Sequence, residues 1–323
     1  MPVNLDKPHL WKADIALSVD MYNDWFMEFA PATFRETRIK AIKDVEETLS
    51  RTYNYGPLGP AVLREYPSAL PTLRMTTCPP LAVDRLIGLA GVSKNLVGCM
   101  EEGKLPSRMP FAALNSELDK IGMIITRMVD PDIFVWLGAG RAATDAEMHR
   151  AATIVADRLT SANANPIIRN AQERRQLAAI AAWLEGRGYK RLSEGIRYNA
   201  MPAGTYSFRL NVPVKAEGGT STVNIPVDTA VMPFGARLGD LPLMIEAKSA
   251  GDFTNTNKRR KEEAQKVNQL RHTFGQDVRF ILFLCGYFDC GYLGYEAGEG
   301  IDWVWEHRIN DLGSILGSNS WIR

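Results

Sequence analysis

Apolar residues recur at three- and four-residue steps through residues 24–52, DWFMEFAPATFRETRIKAIKDVEETLSRT, the spacing of one face of a helix. Proline-rich breaks follow at Tyr66–Pro71 and Cys78–Pro80. A second helical region, LAVDRLIGLAGVSKNLVGCMEEG, begins at Leu81 and is interrupted by Gly91, and Asp145 to Leu159 forms another amphipathic helix. The small, polar stretch SANANPIIRN (161–170) reads as a boundary. Beyond it the period changes. A helix over 171–189 leads into TYSFRLNVPVK and STVNIPVDTAVM, which an EGGT turn joins as a hairpin. LPLMIEAK (241–248) is a third strand, KRRKEEAQKVNQLRHTFG (258–275) a charged helix, and DVRFILFLCGYF (277–288) a strand covered on both faces. The expected fold is α/β, a mixed sheet flanked by helices. The expected domains are a mostly helical 1–165 and an α/β 166–323.

At 323 residues and 46% apolar composition, the chain can bury a large core. No long uncharged apolar run suggests a membrane span, and the acids and prolines of MPVNLDKPHLWKADIALSVD do not suit a signal peptide, so a cytoplasmic protein is expected. Four cysteines without CxxC spacing and four scattered histidines argue against zinc or a disulfide scaffold. A net charge of +1 excludes a cationic coat but leaves room for a locally basic groove.

One strand breaks the rule that buried strands are apolar. In LPLMIEAK, Glu246 and Lys248 project to the same face, together with Met244. Asp228, in NIPVDTA, lies eighteen positions before Glu246 on the preceding strand. Two carboxylates brought together by neighbouring strands make a hard-oxygen site suited to Mg²⁺, with the Ala247 carbonyl as a third ligand. A nearby lysine can activate water or neutralise a phosphorane-like transition state, and these groups together meet the needs of phosphodiester hydrolysis. The other acid-x-Lys, Glu102 to Lys104, sits in a turn.

Glu173 stands at the N-terminal end of the stripe formed by Leu177, Ile180 and Leu184, where it is either an auxiliary metal or water ligand or a first-turn glutamate favoured by the helix dipole. The polar run from Ser249 through Asn255 and Asn257 to Lys258, Arg259, Arg260 and Lys261 opens a helix with cations, which the dipole disfavours unless an anion is near. Asparagine and arginine also suit base edges, so this run is a candidate DNA contact; the alternative is a solvated face paired with Glu262 and Glu263. Residues 81–102 resemble a helix-turn-helix, with Ser93, Lys94 and Asn95 starting the second helix and facing a major groove, although a plain helical hairpin fits as well.

Asp228, the Glu246-Ala247-Lys248 triplet and the helix–hairpin–strand–helix–strand order resemble the PD-(D/E)xK nuclease superfamily. The stretch EAKSAGDFTNTNKRRKEEA is similar to type II restriction endonucleases of the XamI kind, over roughly residues 166–323, with PVD standing where the superfamily name has PD. The resemblance implies that Asp228 and Glu246 bind Mg²⁺, that Lys248 assists the water, and that Glu173 matches a helix glutamate of the superfamily. It also implies double-stranded DNA as partner, with the palindrome GTCGAC as candidate target and a homodimer placing one site on each strand. Two other readings stay open: a non-catalytic regulator using residues 81–100, and a repair or recombination nuclease of the same fold.

Overall fold

In the computed structural model, which describes residues 2–52, 58–193, 195–215, 221–254 and 256–317, with only the backbone of 256–260, the first half of the chain is helical. Its helices are α1 (Pro8–Arg51), α2 (Pro60–Glu65), α3 (Leu70–Met75), α4 (Val83–Ala90), α5 (Lys94–Glu101), α6 (Phe111–Met128), α7 (Val135–Ala139) and α8 (Asp145–Glu185). The second half builds strands β1 (Lys190–Arg191), β2 (Thr205–Lys215), β3 (Thr222–Met232), β4 (Leu243–Ala250), β5 (Phe280–Gly286) and β6 (Asp302–Trp305), with α9 (Thr256–Phe274), α10 (Cys290–Gly298) and α11 (Leu312–Leu316). The EGGT turn lies outside the described residues.

The strands form one mixed sheet in sequence order: β2, β3 and β4 are an antiparallel meander, β4, β5 and β6 run parallel, and β1 joins β2 in parallel. Parallel strands need crossovers, and α9 and α10 supply them. β5 is buried along its whole length, as its unbroken apolar run requires. On one face, Met244, Leu282, Leu284 and Trp303 pack with Val267 and Leu270 of α9 and Tyr292 of α10. On the other, Leu243, Ile245, Ile281 and Phe283 pack with Ile180, Trp183 and Leu184 of α8 and with α11.

The chain divides into two compact units, Met1–Phe29 with Arg169–Arg323, and Ala30–Ile168. The second unit is an all-helical core around Val45, Leu118, Ile121, Ile125 and Val155. The sequence boundary at 165/166 lies close to one junction, but 161–170 is no linker. It is the middle of the 41-residue α8, which runs through Pro166. Pro166 deprives only the Ala162 carbonyl of its helical donor, and Ala164 two residues before it is buried.

The first 29 residues belong with the sheet rather than with the helical half, because Asp302 of β6 accepts hydrogen bonds from the backbone N–H groups of Val3, Asn4 and Leu5. Trp11 lies edge-on to Trp303 at 5.5 Å, and Asp14 accepts from Arg308 at 3.0 Å. No helix of the described residues is long and apolar enough to cross a membrane.

Gly286 closes the end of β5 with a φ of 101°, and a Cβ there would lie 2.1 Å from the Ala250 carbonyl oxygen. Its N–H donates to the Ser18 hydroxyl at 2.8 Å, stitching α1 to the strand ends that carry the site. Gly286→Ala is therefore expected to cost ~2 kcal/mol or more. A thermal melt reads this as a Tm lower by several degrees, and an unchanged Tm contradicts the packing described.

Candidate active site

β2 carries apolar residues at every even position from Tyr206 to Val214, the pattern of a single buried face. The fold divides them between two layers. Tyr206 and Phe208 pack beside Ile180 and Leu184 of α8, whereas Leu210, Val212 and Val214 lie in the layer of Val267 and Leu270 of α9. The switch occurs at Arg209, whose φ of 52° is uncommon for a residue with a side chain. β3 turns over at the facing position, because Ile225 and Val227 share a layer with Ala230 and Met232 while Val231 faces α8. The pairs Phe208↔Thr229 and Leu210↔Val227 persist, and the rung between them, Arg209 opposite Asp228, is missing.

This rollover positions the acids. β3 and β4 pair only as far as Thr229↔Ile245, and one step further Asp228 stands opposite Glu246. Where the ladder ends, the Asp228 Oδ2 atom accepts the Ala247 N–H at 2.9 Å. Glu246 and Lys248 point to the α9 face, as their alternation with Met244 predicts, and Lys248 Nζ lies 3.2 Å from Glu246 Oε1. Burial first, and the Glu246 charge second, push Asp228 up to about 6, against the opposing pull of the Ala247 N–H and two lysines. Burial alone would lower the Lys248 pKa, but Glu246, Glu263 and Asp228 outweigh it and raise the net value, keeping the ammonium charged.

Other groups escaped the sequence reading. Lys266 of α9 donates to Glu246 Oε2 and to the Pro226 carbonyl, both at 2.7 Å, bracketing the carboxylate from the side opposite Lys248. Glu263 of α9 takes the other side of Lys248 at 3.3 Å and accepts the Tyr292 hydroxyl at 2.7 Å. Beyond it sits the fully buried Glu296, whose carboxyl is pushed up to about 9, mainly by burial and then by Glu263. Both effects favour the protonated form of Glu296. Two lysines thus face four acids, and the cluster holds acid in excess. The signal for Glu263 was present in the sequence: it shares the stripe of Val267, Leu270 and Phe274, a core position where an unpaired glutamate would be costly.

The remaining expected residues lie elsewhere. Glu173 pairs with Arg209 at 3.1 Å, both side chains being well exposed, and makes no described contact with Asp228, Glu246 or Lys248. Its stripe is buried as expected, but α8 covers the opposite face of the sheet from Glu246 and Lys248. Ser249 follows Lys248 in β4, half-buried, and Lys261 is exposed on α9, whereas Asn255 and the side chains of Asn257, Lys258, Arg259 and Arg260 lie outside the described residues. In the helical unit, Gly91 takes the left-handed turn between α4 and α5 at a φ of 61°. Ser93 caps α5 by accepting from Leu96 N–H, Leu86, Val97 and Met100 are fully buried, and Lys94 and Asn95 are exposed. Among the described residues, no three histidine, cysteine or acidic side chains gather as a metal cluster.

An acid whose pKa is about 9 when folded and near 4.5 otherwise holds its proton only in the folded chain between those values, so it destabilises the protein as pH rises through that window. Glu296→Gln keeps a donor for Glu263 and removes this dependence. Its Tm is expected to exceed that of the native protein at pH 8–9 and to match it near pH 5, and calorimetric melts at the two pH values check this.

A family model described as XamI restriction endonuclease matches residues 55–305. The type II restriction enzyme SalI of Streptomyces albus G is 52% identical over 312 residues, covering 96% of this chain and 98% of that one. No solved structure matches the chain. With a family match over most of its length and a relative aligned almost end to end, the chain belongs to the XamI restriction endonuclease family.

Proposed function

We propose that this type II site-specific deoxyribonuclease cuts duplex DNA within a short palindrome, GTCGAC being the candidate, with Mg²⁺ held by Asp228, Glu246 and the Ala247 carbonyl. The observation that carries the reading is the convergence of Asp228, Glu246 and Lys248 where the β3–β4 ladder opens. The donors fit the ion: two carboxylates and a main-chain carbonyl are hard oxygen ligands, and Mg²⁺ keeps water in its other positions, so a third acid is not required. Bound there, Mg²⁺ supplies Lewis-acid stabilisation of phosphate charge and lowers the pKa of water. The meander β2–β3–β4, the crossover α9 and the parallel β5, preceded by α8, support a PD-(D/E)xK core.

The chain's own groups have separable parts in hydrolysis. Lys248, with its pKa raised, is an ammonium and not a general base; it donates to the attacking water or to a phosphate oxygen. Glu263 keeps that ammonium in place from behind. Lys266 ties Glu246 to β3 through the Pro226 carbonyl and fixes the carboxylate. Ser249 and the α9 entry, Asn255, Asn257 and Lys258 to Lys261, are proposed phosphate and base contacts one loop beyond the metal ligands, with Ser93, Lys94 and Asn95 as a second element. Glu173 is proposed to act through Arg209. A palindrome has two-fold symmetry, so a homodimer presents one such site to each strand.

Plasmid DNA incubated with the protein and Mg²⁺ should give discrete fragments, and Lys248→Ala should slow cleavage by about 10²–10³-fold or more while duplex binding stays within a few-fold. Retained cleavage contradicts the assignment. Because Asp228 must shed its proton to bind a cation, cleavage at limiting Mg²⁺ should fall as pH drops through about 6 and recover with excess metal. A rate independent of pH between 5 and 7.5 at limiting metal contradicts the role given to Asp228.

A further inference from the structure

Beyond the rollover at Arg209, the β2–β3 ribbon extends past its pairing with β4 as two strands. Its inner residues, Leu210, Val212, Val214, Ile225 and Val227, are buried against the α9 layer, and Lys215 N–H donates to Thr273 of that helix at 2.9 Å. Alternation sends the other residues outward. Cross-strand pairing sets Asn211 against Pro226, Pro213 against Asn224 and Lys215 against Thr222, and all but the half-buried Pro213 are exposed. This outer face lacks large apolar groups, carries side-chain amides on both strands, and is broken by prolines that cannot extend the ladder to a further strand.

A hollow of about 450 Å³ lies over it, lined by this face and by the loop that bears Arg197 and Asn199. Two arginines, three asparagines and Tyr198 line it, and no carboxylate does among the described residues. Arg209, which lines the hollow, occupies the rung opposite Asp228. Glu173 holds the Arg209 side chain at 3.1 Å, which gives that glutamate a part in orienting the arginine.

We propose that the outer face of the β2–β3 ribbon, with Asn211 and Asn224 at its centre and Arg197, Asn199 and Arg209 at its border, is the base-reading surface that enters the major groove of the duplex. The claim rests on the nuclease reading given above. A two-stranded ribbon fits a major groove, asparagine amides pair with adenine through two hydrogen bonds, and arginines pair with guanine or phosphate. Arg209, on the rung opposite Asp228, ties the ribbon's register to the proposed metal site through the backbone.

The test uses the full-length protein and the site it cuts, mapped from fragment ends. Asn211→Ala with Asn224→Ala is compared with the native protein for binding, by fluorescence anisotropy without metal, to that duplex and to a scrambled one. The preference for the cut sequence is expected to fall about 10- to 100-fold, while binding to the scrambled duplex and the Tm stay unchanged. A preference within twofold of native overturns the proposal. Should the double alanine variant not fold, Asn224→Asp keeps the size and sets a carboxylate against the DNA; cognate binding must then weaken at least tenfold, and an unchanged affinity overturns the proposal. Asp228→Asn, run beside them for cleavage, separates the two claims: if it still cuts, the active-site reading fails, while the binding preference decides the ribbon independently.

Discussion

Holding Asp228 and Glu246 side by side in a half-buried site sets two negative charges against each other and removes both from water. Either effect alone favours protonation or separation of the acids. The fold offsets the cost with the Ala247 N–H on one acid and two ammonium groups on the other, Lys248 within β4 and Lys266 across from α9. Lys248 is in turn held by Glu263, which accepts the Tyr292 hydroxyl. The proposed catalytic face is thus a chain of charged side chains that ends at the buried Glu296. Removing a member leaves its neighbours buried with one partner fewer.

What gives the chain of charges its place is the backbone between Arg209 and Asp228. If β2 and β3 kept one face throughout, Asp228 would remain bound into a continuous ladder and the strands would not open beside Glu246. Turning both strands over at the same rung costs one pair of backbone hydrogen bonds and a left-handed residue. In return it frees Asp228 and delivers a projecting ribbon whose inner side is still buried. One local distortion thus sets both the proposed metal ligands and the surface proposed to read the DNA.

Much of this was legible from residue order. An acid-x-Lys on an apolar strand has few structural reasons to exist, and β5 could be read as central from its unbroken apolar run. The rollover was invisible, because the even-position alternation from Tyr206 to Val214 continues unchanged through Arg209, and periodicity records spacing but not which layer receives each side chain. The continuity of α8 was hidden by Pro166, which breaks helices on average but here lies inside one of 41 residues. The attachment of the first 29 residues to the sheet depends on Asp302, almost three hundred positions away, and no local pattern encodes a contact of that range. Glu173 was expected in the first turn of a helix beginning near Ala171, but it lies inside α8, which starts at Asp145, and the sequence could not show that α8 covers the side of the sheet away from Glu246.

The central claim is that Asp228 and Glu246 together hold the divalent ion. It is tested most directly by crystals of the protein bound to uncut duplex DNA and soaked with Mn²⁺, using anomalous diffraction at the manganese edge. The account predicts a peak within about 2.5 Å of carboxylate oxygens from both residues. A peak that only one of them touches, or manganese bound elsewhere beside the scissile phosphate, would contradict it.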